Sequence, residues 1–300
     1  MARSIRLATR TSPLALAQAE AVAAELRRVR PEIEVVLVGT ETRGDLVTDV
    51  ALSSLGGEGI FCKEVQLLVL EGRADVAVHS AKDLPSSTPS SLVLAAVPAR
   101  ADVRDCLVGR GLKGLGPGAT VATGAPRRKA LLAERRPDLN LVELRGNIAT
   151  RLARLEDRHV DAVVVAKAAL DRLGIVPESV EVLDPRWCTP QVGQGALALE
   201  ARTDDVEVLE LLGEMDHQAS HRTLACERSF LAELGAGCSV PTGAWARELD
   251  GMLRLDGVLC APETATVVRG TLEGTDPAVV GASLASQLRE QLGYDLGQRG

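Results

Sequence analysis

The sequence predicts an α/β protein: two similar α/β domains, followed by a small α+β domain. Three observations carry that expectation. Up to about residue 200, short apolar runs alternate with Ala/Leu/Glu-rich stretches of helical length, which implies mostly parallel sheets. Segments of the first half of that region reappear in the same order in its second half. After residue 216 the alternation stops, and a helix, three strand-like runs and a last helix follow. The 300 residues suffice for two or three cores, and 46% hydrophobic with 25% charged residues is a globular composition.

Residues 5–9 read as the first strand. Ser12 suits an N-cap and Pro13 the first turn of a helix over 14–28. A strand over 32–38, a helix over 65–71, a buried strand over 75–79 and a strand over 92–97 follow. Residues 98–102 read as a crossing between domains. The pattern then returns: strand 120–123, turn 124–126, helix 127–136, strand 139–144, helix 147–157, strand 161–165. Set side by side, Ala8-Thr9…Pro13 answers Ala122-Thr123…Pro126, and Arg30-Pro31-Glu32-Ile33 answers Arg136-Pro137-Asp138-Leu139. Arg43-Gly44 answers Arg145-Gly146, and the segment 72–78 answers 158–164. A strand over 197–200 returns the chain to the first domain, before a helix over 204–212. The tail reads as helix (about 218–234), strands (about 242–249, 252–260, 264–272) and helix (278–292). The expected domains are 1–98 with about 196–216, then 99–195, then 217–300.

Composition excludes several classes. The net charge is −7, so nothing draws the whole chain to nucleic acid or an anionic membrane. Aromatic residues make up only 2%, too few for base-stacking platforms. No apolar run approaches membrane-spanning length, and the first residues lack a secretory h-region. The six cysteines, at 62, 106, 188, 226, 238 and 260, form no C-x-x-C pair, which argues against zinc and dithiol redox chemistry. The expected setting is the cytoplasm, with reduced thiols.

Chemistry concentrates at expected strand ends, where ligands of parallel sheets collect. Arg10 and Ser12 follow the first strand, and Lys82 and Asp83 another. Arg127 and Arg128 open a helix; Arg145, Arg151 and Arg172 lie after strands of the second half. Each alone suits a solvated surface. Sharing one address on two facing domains, they would line a positive cleft for a ligand with several carboxylates, which Arg binds bidentately. Phosphate is the weaker option, because no P-loop or dinucleotide fingerprint is present. Gly56-Gly57-Glu58-Gly59 reads as a flexible loop. Asp83, a carboxylate among these cations, is either a salt-bridge partner or a general acid/base. His79, inside an apolar strand, reads as a core histidine; His217 and His221 are spaced for a metal but lack a third ligand. Leu234-Gly235-Ala236-Gly237-Cys238-Ser239-Val240-Pro241 sets one thiol among glycines, which suits either presentation to a ligand or burial beside a turn.

These stretches resemble the porphobilinogen deaminase (hydroxymethylbilane synthase) family over nearly the whole chain. The resemblance runs through 8–16, through Val78-His79-Ser80-Ala81-Lys82-Asp83-Leu84-Pro85 and through Leu144-Arg145-Gly146-Asn147. It continues through Val192-Gly193-Gln194-Gly195-Ala196 and Gly237-Cys238-Ser239-Val240-Pro241. It implies two domains like the halves of periplasmic binding proteins, plus a third, in a monomer; no metal is expected, from the spacing of the cysteines and histidines. It implies a dipyrromethane cofactor on Cys238 through a thioether, extended by four porphobilinogen units with loss of ammonia, then hydrolysis to hydroxymethylbilane. Asp83 would be catalytic, stabilising the cation left as ammonia departs. Arg10, Ser12, Lys82, Thr123, Arg127, Arg128, Arg145, Arg151 and Arg172 would bind carboxylates of cofactor and growing chain.

Two places depart from the family pattern. Thr123-Gly124-Ala125 stands where relatives have Thr-Ser-Ser, so two hydroxyls are missing and Ala125 is a poor N-cap, a loss of about 1 kcal/mol. Glu58 stands where some relatives have Lys. They admit a specialised or weakened paralogue. A reading from another class is a non-catalytic two-domain anion-binding protein, which leaves Cys238 unexplained.

Overall fold

A computed structural model describes residues 4–41, 62–157, 159–235, 241–261 and 266–293. The chain groups into two compact units, Met1–Ala101 with Ala196–His221, and Asp102–Gly195 with Arg222–Gly300.

The first unit is built on β1 (Ser4–Arg10), β2 (Glu34–Thr40), β3 (Val76–Ser80), β4 (Leu92–Ala96) and β10 (Leu197–Arg202), in the order β2-β1-β3-β10-β4. β1 runs parallel to β2 and β3, whereas β10 is antiparallel to both β3 and β4. Four strands therefore point one way, and the returning strand alone is reversed. Alternation sends Ile5 and Leu7 to one face of β1 and Ala8 to the other. The first face packs on α1 (Pro13–Val29) and α6 (Val206–Gly213) through Val22, Leu26, Val208 and Leu212. The second packs on α2 (Lys63–Leu70) through Val65, Leu68 and Val69. Ser12 accepts the Ala15 N–H at 3.4 Å and Pro13 sits in the first turn, as the sequence predicts. α1 stops at Arg30 because the residue before Pro31 is steered out of the helical region.

The second unit repeats this order. β5 (Asp105–Gly109), β6 (Thr120–Ala122), β7 (Asn140–Val142), β8 (Ala162–Ala166) and β9 (Val180–Val182) form the sheet β7-β6-β8-β5-β9. Again a single strand, β5, opposes its neighbours. The helices are α3 (Pro126–Arg135), α4 (Ile148–Ala153) and α5 (Lys167–Arg172). α4 ends sooner than the sequence suggests and tightens into a 3-10 turn, Arg154–Glu156. β5, β9 and α5 have no counterpart in the sequence reading. β9 is only three residues long, and β5 opens on a buried aspartate.

The same unit carries the antiparallel sheet β11 (Thr242–Leu249), β12 (Met252–Cys260), β13 (Val267–Gly274). α7 (Gln218–Glu233) and α8 (Pro277–Leu292) pack against it through Phe230, Leu284 and Leu288. The Asp250-Gly251 hairpin takes φ of 51° and 77°, the signature of a two-residue type I′ turn. The helices approach closely at Gly281, where a Cβ would overlap the Cys226 carbonyl oxygen. Val258 and Cys260 join Leu107, Val121 and Leu131 in one apolar cluster within this unit.

Candidate active site

In the first unit, Arg10 is the last residue of β1, and Lys82 and Asp83 lie in a 3-10 turn, Ala81–Asp83, directly after β3. These strands are parallel neighbours, so their carboxyl ends meet. Arg10 Nη1 lies 3.8 Å from Asp83 Oδ2, and the side chains are 21% and 29% exposed, open enough to meet a ligand. The turn is pinned from several directions. Ala81 N–H donates to Ala196 O at 3.0 Å, and the Cys62 thiol donates to Asp83 O at 3.0 Å. Gln18, buried on α1, donates to Ser80 Oγ at 2.7 Å. Ser12 serves first as the cap of α1, so its hydroxyl is partly committed.

In the second unit, Thr123 is buried just after β6 and its Oγ1 accepts the Ala125 N–H at 3.4 Å. Ala125 itself caps nothing with its side chain. Gly124 is more than a lost hydroxyl: a Cβ there would overlap the Leu144 carbonyl oxygen, so this loop is shaped around the missing side chain. Arg145, three residues past β7, is half-buried and has no ion pair among the described residues. Asn147 caps α4, and Arg151 Nε donates to Gly146 O at 2.8 Å. Arg172 ends α5 and donates to Gly195 O at 2.8 Å. No described carboxylate faces its guanidinium, and burial pushes its pKa down to about 10.

Arg127 and Arg128 depart from the open cleft lining that the sequence suggests. Both turn inward onto Asp105, which is 0% exposed. Arg127 Nη2 donates to Oδ2 at 2.7 Å, and Arg128 Nη2 to Oδ1 at 2.7 Å. Further bonds go to Thr189 O and Val164 O. Gln194 Nε2 donates to Asp105 Oδ1 at 2.9 Å, and Cys188 Sγ lies 3.7 Å from Oδ2. Burial alone would raise the Asp105 pKa; the two guanidiniums overcome it and hold the carboxyl well below its usual range. The physical cause of the inward turn is this carboxylate, which burial leaves dependent on both arginines. Two cations on one anion leave this cluster with a net charge of +1. Asp105 escaped the sequence reading because an acid at the head of an apolar run carries no spacing signal.

The Cys238 loop (236–240), Glu58 and the glycine-rich run 56–59 lie outside the described residues, as does Arg43-Gly44. Gly235, just before that loop, takes φ of 59°, the left-handed conformation that favours glycine. Burial pushes the thiols of Cys106, Cys188 and Cys226 up to about 12 and that of Cys260 to about 11. His79 is buried, as expected of a core histidine, beside Glu200. His217 and His221 engage Ser220 and Asp216, and no His/Cys/Asp/Glu cluster able to hold a metal occurs among the described residues. Among those residues, too, no helix is long and apolar enough to cross a membrane.

Residues 5–210 match the family model described as porphobilinogen deaminase, dipyromethane cofactor binding domain; residues 222–290 match porphobilinogen deaminase, C-terminal domain. The porphobilinogen deaminase of Bacillus pumilus (strain SAFR-032) is 39% identical over 300 residues, covering 98% of this chain and 96% of that protein. That of Roseiflexus sp. (strain RS-1) is 43% identical over 301 residues, 99% of each. A probable porphobilinogen deaminase of Methanopyrus kandleri is 48% identical over 254 residues, 84% of this chain and 85% of that one. Among solved structures, a probable amino-acid ABC transporter extracellular-binding protein of Bacillus subtilis aligns at TM-score 0.44 and 12% identity, over 76% of this chain and 97% of that one, too loosely to carry an argument. Matched by family models over residues 5–210 and 222–290, with full-length relatives at about two-fifths identity, the chain belongs to the porphobilinogen deaminase family.

Proposed function

We propose that this chain is a hydroxymethylbilane synthase. It adds four porphobilinogen molecules in turn to a covalently held dipyrromethane, releases one ammonia per addition, and frees the linear tetrapyrrole by hydrolysis. The observation that carries the reading is Asp83, a partly exposed carboxylate at a strand end with Arg10 3.8 Å away. Loss of ammonia leaves positive charge on the pyrrole. A fixed carboxylate stabilises that charge, accepts the pyrrole N–H and takes part in proton transfer. Lys82 and Arg10 beside it would bind the acetate and propionate of the incoming unit.

The residues of the second unit fit a polycarboxylate. Arg172 is a desolvated cation whose described contacts include no anion, and Arg145 has no ion pair among the described residues. With Arg151 they would hold the carboxylates of the dipyrromethane and of the lengthening product; Thr123, buried with its Oγ1 on the Ala125 N–H, would contribute by shaping the turn and not by direct contact. Arg127 and Arg128 would contribute through the +1 field of their Asp105 cluster. Cys238 would form the thioether; the five other thiols are all buried, which supports that choice. When bound, dipyrromethane supplies the pyrrole carbon to which the first unit is joined. To the same reading belong the three-domain division (1–98 with about 196–216, 99–195, 217–300), a cytoplasmic monomer, and porphobilinogen rather than nucleic acid or membrane as partner.

Intact mass spectrometry of protein purified from porphobilinogen-making cells tests the primer. The expected mass exceeds the bare chain by one dipyrromethane, and the excess is absent in Cys238→Ser. A folded wild-type sample at the bare-chain mass would sink the assignment. Asp83→Asn is expected to abolish nearly all turnover, scored as ammonia release, with an unchanged circular dichroism spectrum; normal turnover removes Asp83 from the chemistry.

A further inference from the structure

A second carboxylate in the first unit is buried and outside the reaction so far described. Glu200, on β10, is 0% exposed. Burying an ionised carboxylate costs several kcal/mol unless it is paired, and a well-packed apolar residue often serves stability as well. Glu200 is held by three side chains from three separate segments. Gln66 Nε2, on α2, donates to Oε2 at 2.8 Å, and Thr88 Oγ1 donates to Oε1 at 3.1 Å. His79 Nε2, on β3, lies 3.1 Å from Oε2, close but off the line of a hydrogen bond. Burial pushes the Glu200 pKa upward, and these partners more than offset it, so the carboxyl titrates below its usual range.

Each segment leads to the Asp83 turn. His79 is four residues before Asp83 on the strand that delivers it. Thr88 lies in the stretch that carries the chain from the turn to β4. Gln66 is one helical turn beyond Cys62, the cap of α2 whose thiol binds the Asp83 carbonyl at 3.0 Å. The turn spans only three residues, with a backbone bond of 3.2 Å from Leu84 N–H to Ala81 O, so its flanks decide where Asp83 sits. We propose that Glu200 is a positioning residue for Asp83: by holding His79, Gln66 and Thr88 together, it fixes the three segments that carry or touch the Asp83 turn. The proposal rests on the catalytic role given to Asp83 above.

Glu200→Gln tests it. The variant keeps shape but removes the charge and replaces one of the two acceptor oxygens, which take bonds from Gln66 and Thr88, with a donor. A shift of about 1 Å in a reacting group costs up to about 100-fold in rate. We expect kcat to fall by roughly tenfold or more with KM within about twofold, while intact mass still shows full primer occupancy. In an Asp83→Glu background the carboxylate is already displaced, so adding Glu200→Gln should cost less than about threefold, the mark of two residues acting through one feature. If Glu200→Gln does not fold, Thr88→Val, which cuts one strut, is read in the same way. Normal kcat, losses that multiply in the double variant, or loss of occupancy in step with kcat would each overturn the proposal. If Asp83→Asn turned over normally, the functional reading itself would fall. An essential Asp83 with a dispensable Glu200 would remove this inference alone.

Discussion

Arg172→Met should stabilise the protein without its primer and weaken the protein that carries it. Arg172 is a desolvated guanidinium with a backbone carbonyl as its hydrogen-bond partner and no described carboxylate. Burial pulls its pKa down from the ordinary arginine value to about 10. The guanidinium stays protonated at neutral pH, so the shift measures the cost of holding the charge in the folded state. About 2.5 pH units at 1.36 kcal/mol each gives an upper bound of about 3 kcal/mol. Removing the side chain also removes a charged hydrogen bond worth about 1.5–3 kcal/mol and some packing, so the net gain is at most about 1 kcal/mol. The sign follows from linkage: a cation with a lowered folded pKa destabilises below about pH 10, and the penalty is relieved as pH rises through that value. Urea unfolding in a Cys238→Ser background, which cannot hold the primer, should show Arg172→Met more stable at pH 7. In the primer-loaded protein an anion would neutralise Arg172, and the same substitution should then destabilise and raise KM for porphobilinogen. Destabilisation by more than about 1 kcal/mol in the Cys238→Ser background would refute the argument that Arg172 waits for an anion.

Two further substitutions probe the second unit. Asp105→Asn strands two buried guanidiniums without their counter-charge and should cost about 3–5 kcal/mol by urea unfolding. Because Asp105 titrates far below its unfolded value near 4, its contribution is present above that pH and lost as pH falls; Asp105→Asn should flatten the acid limb of the stability curve. Gly124→Ser installs the residue that the family resemblance leads one to expect there, yet its Cβ meets the Leu144 carbonyl, so it should lower stability by about 1–3 kcal/mol and fail to raise kcat. An active, more stable Gly124→Ser protein would show that the loop moves aside at little cost.

Gly124 shows how far a sequence comparison reaches. Missing hydroxyls at 124 and 125 read from the sequence as a weakened carboxylate site. The structure shows a backbone approach that only glycine permits there, and Thr123 Oγ1 bonding the Ala125 N–H. The arginines divide in the same way. Arg10 and Arg172 were legible as cations near strand ends, and the structure puts Arg10 last in β1 and Arg172 at the end of the helix that follows β8. Arg127 and Arg128 carry the same local signal, yet a partner 22 residues away turns them inward. Glu200 and Asp105 carried no signal at all, because a lone acid in an apolar strand looks like a flaw in the pattern.

By itself the sequence determined what depends on neighbours a few residues apart: the Ser12 cap, the Pro31 stop, the strand alternation and the repeat that doubles the sheet order. It also carried the family, through motifs strung along the chain. Only the tertiary structure decided which charge meets which. Asp105 with Arg127 and Arg128, Glu200 with His79, Gln66 and Thr88, and Asp83 with Arg10 all join residues brought together by strand order and register. In each five-stranded sheet one reversed strand, β10 or β5, lies between two strands that run the other way. Whether a buried charge is met or stranded depends on contacts across the sheet, which no local pattern encodes.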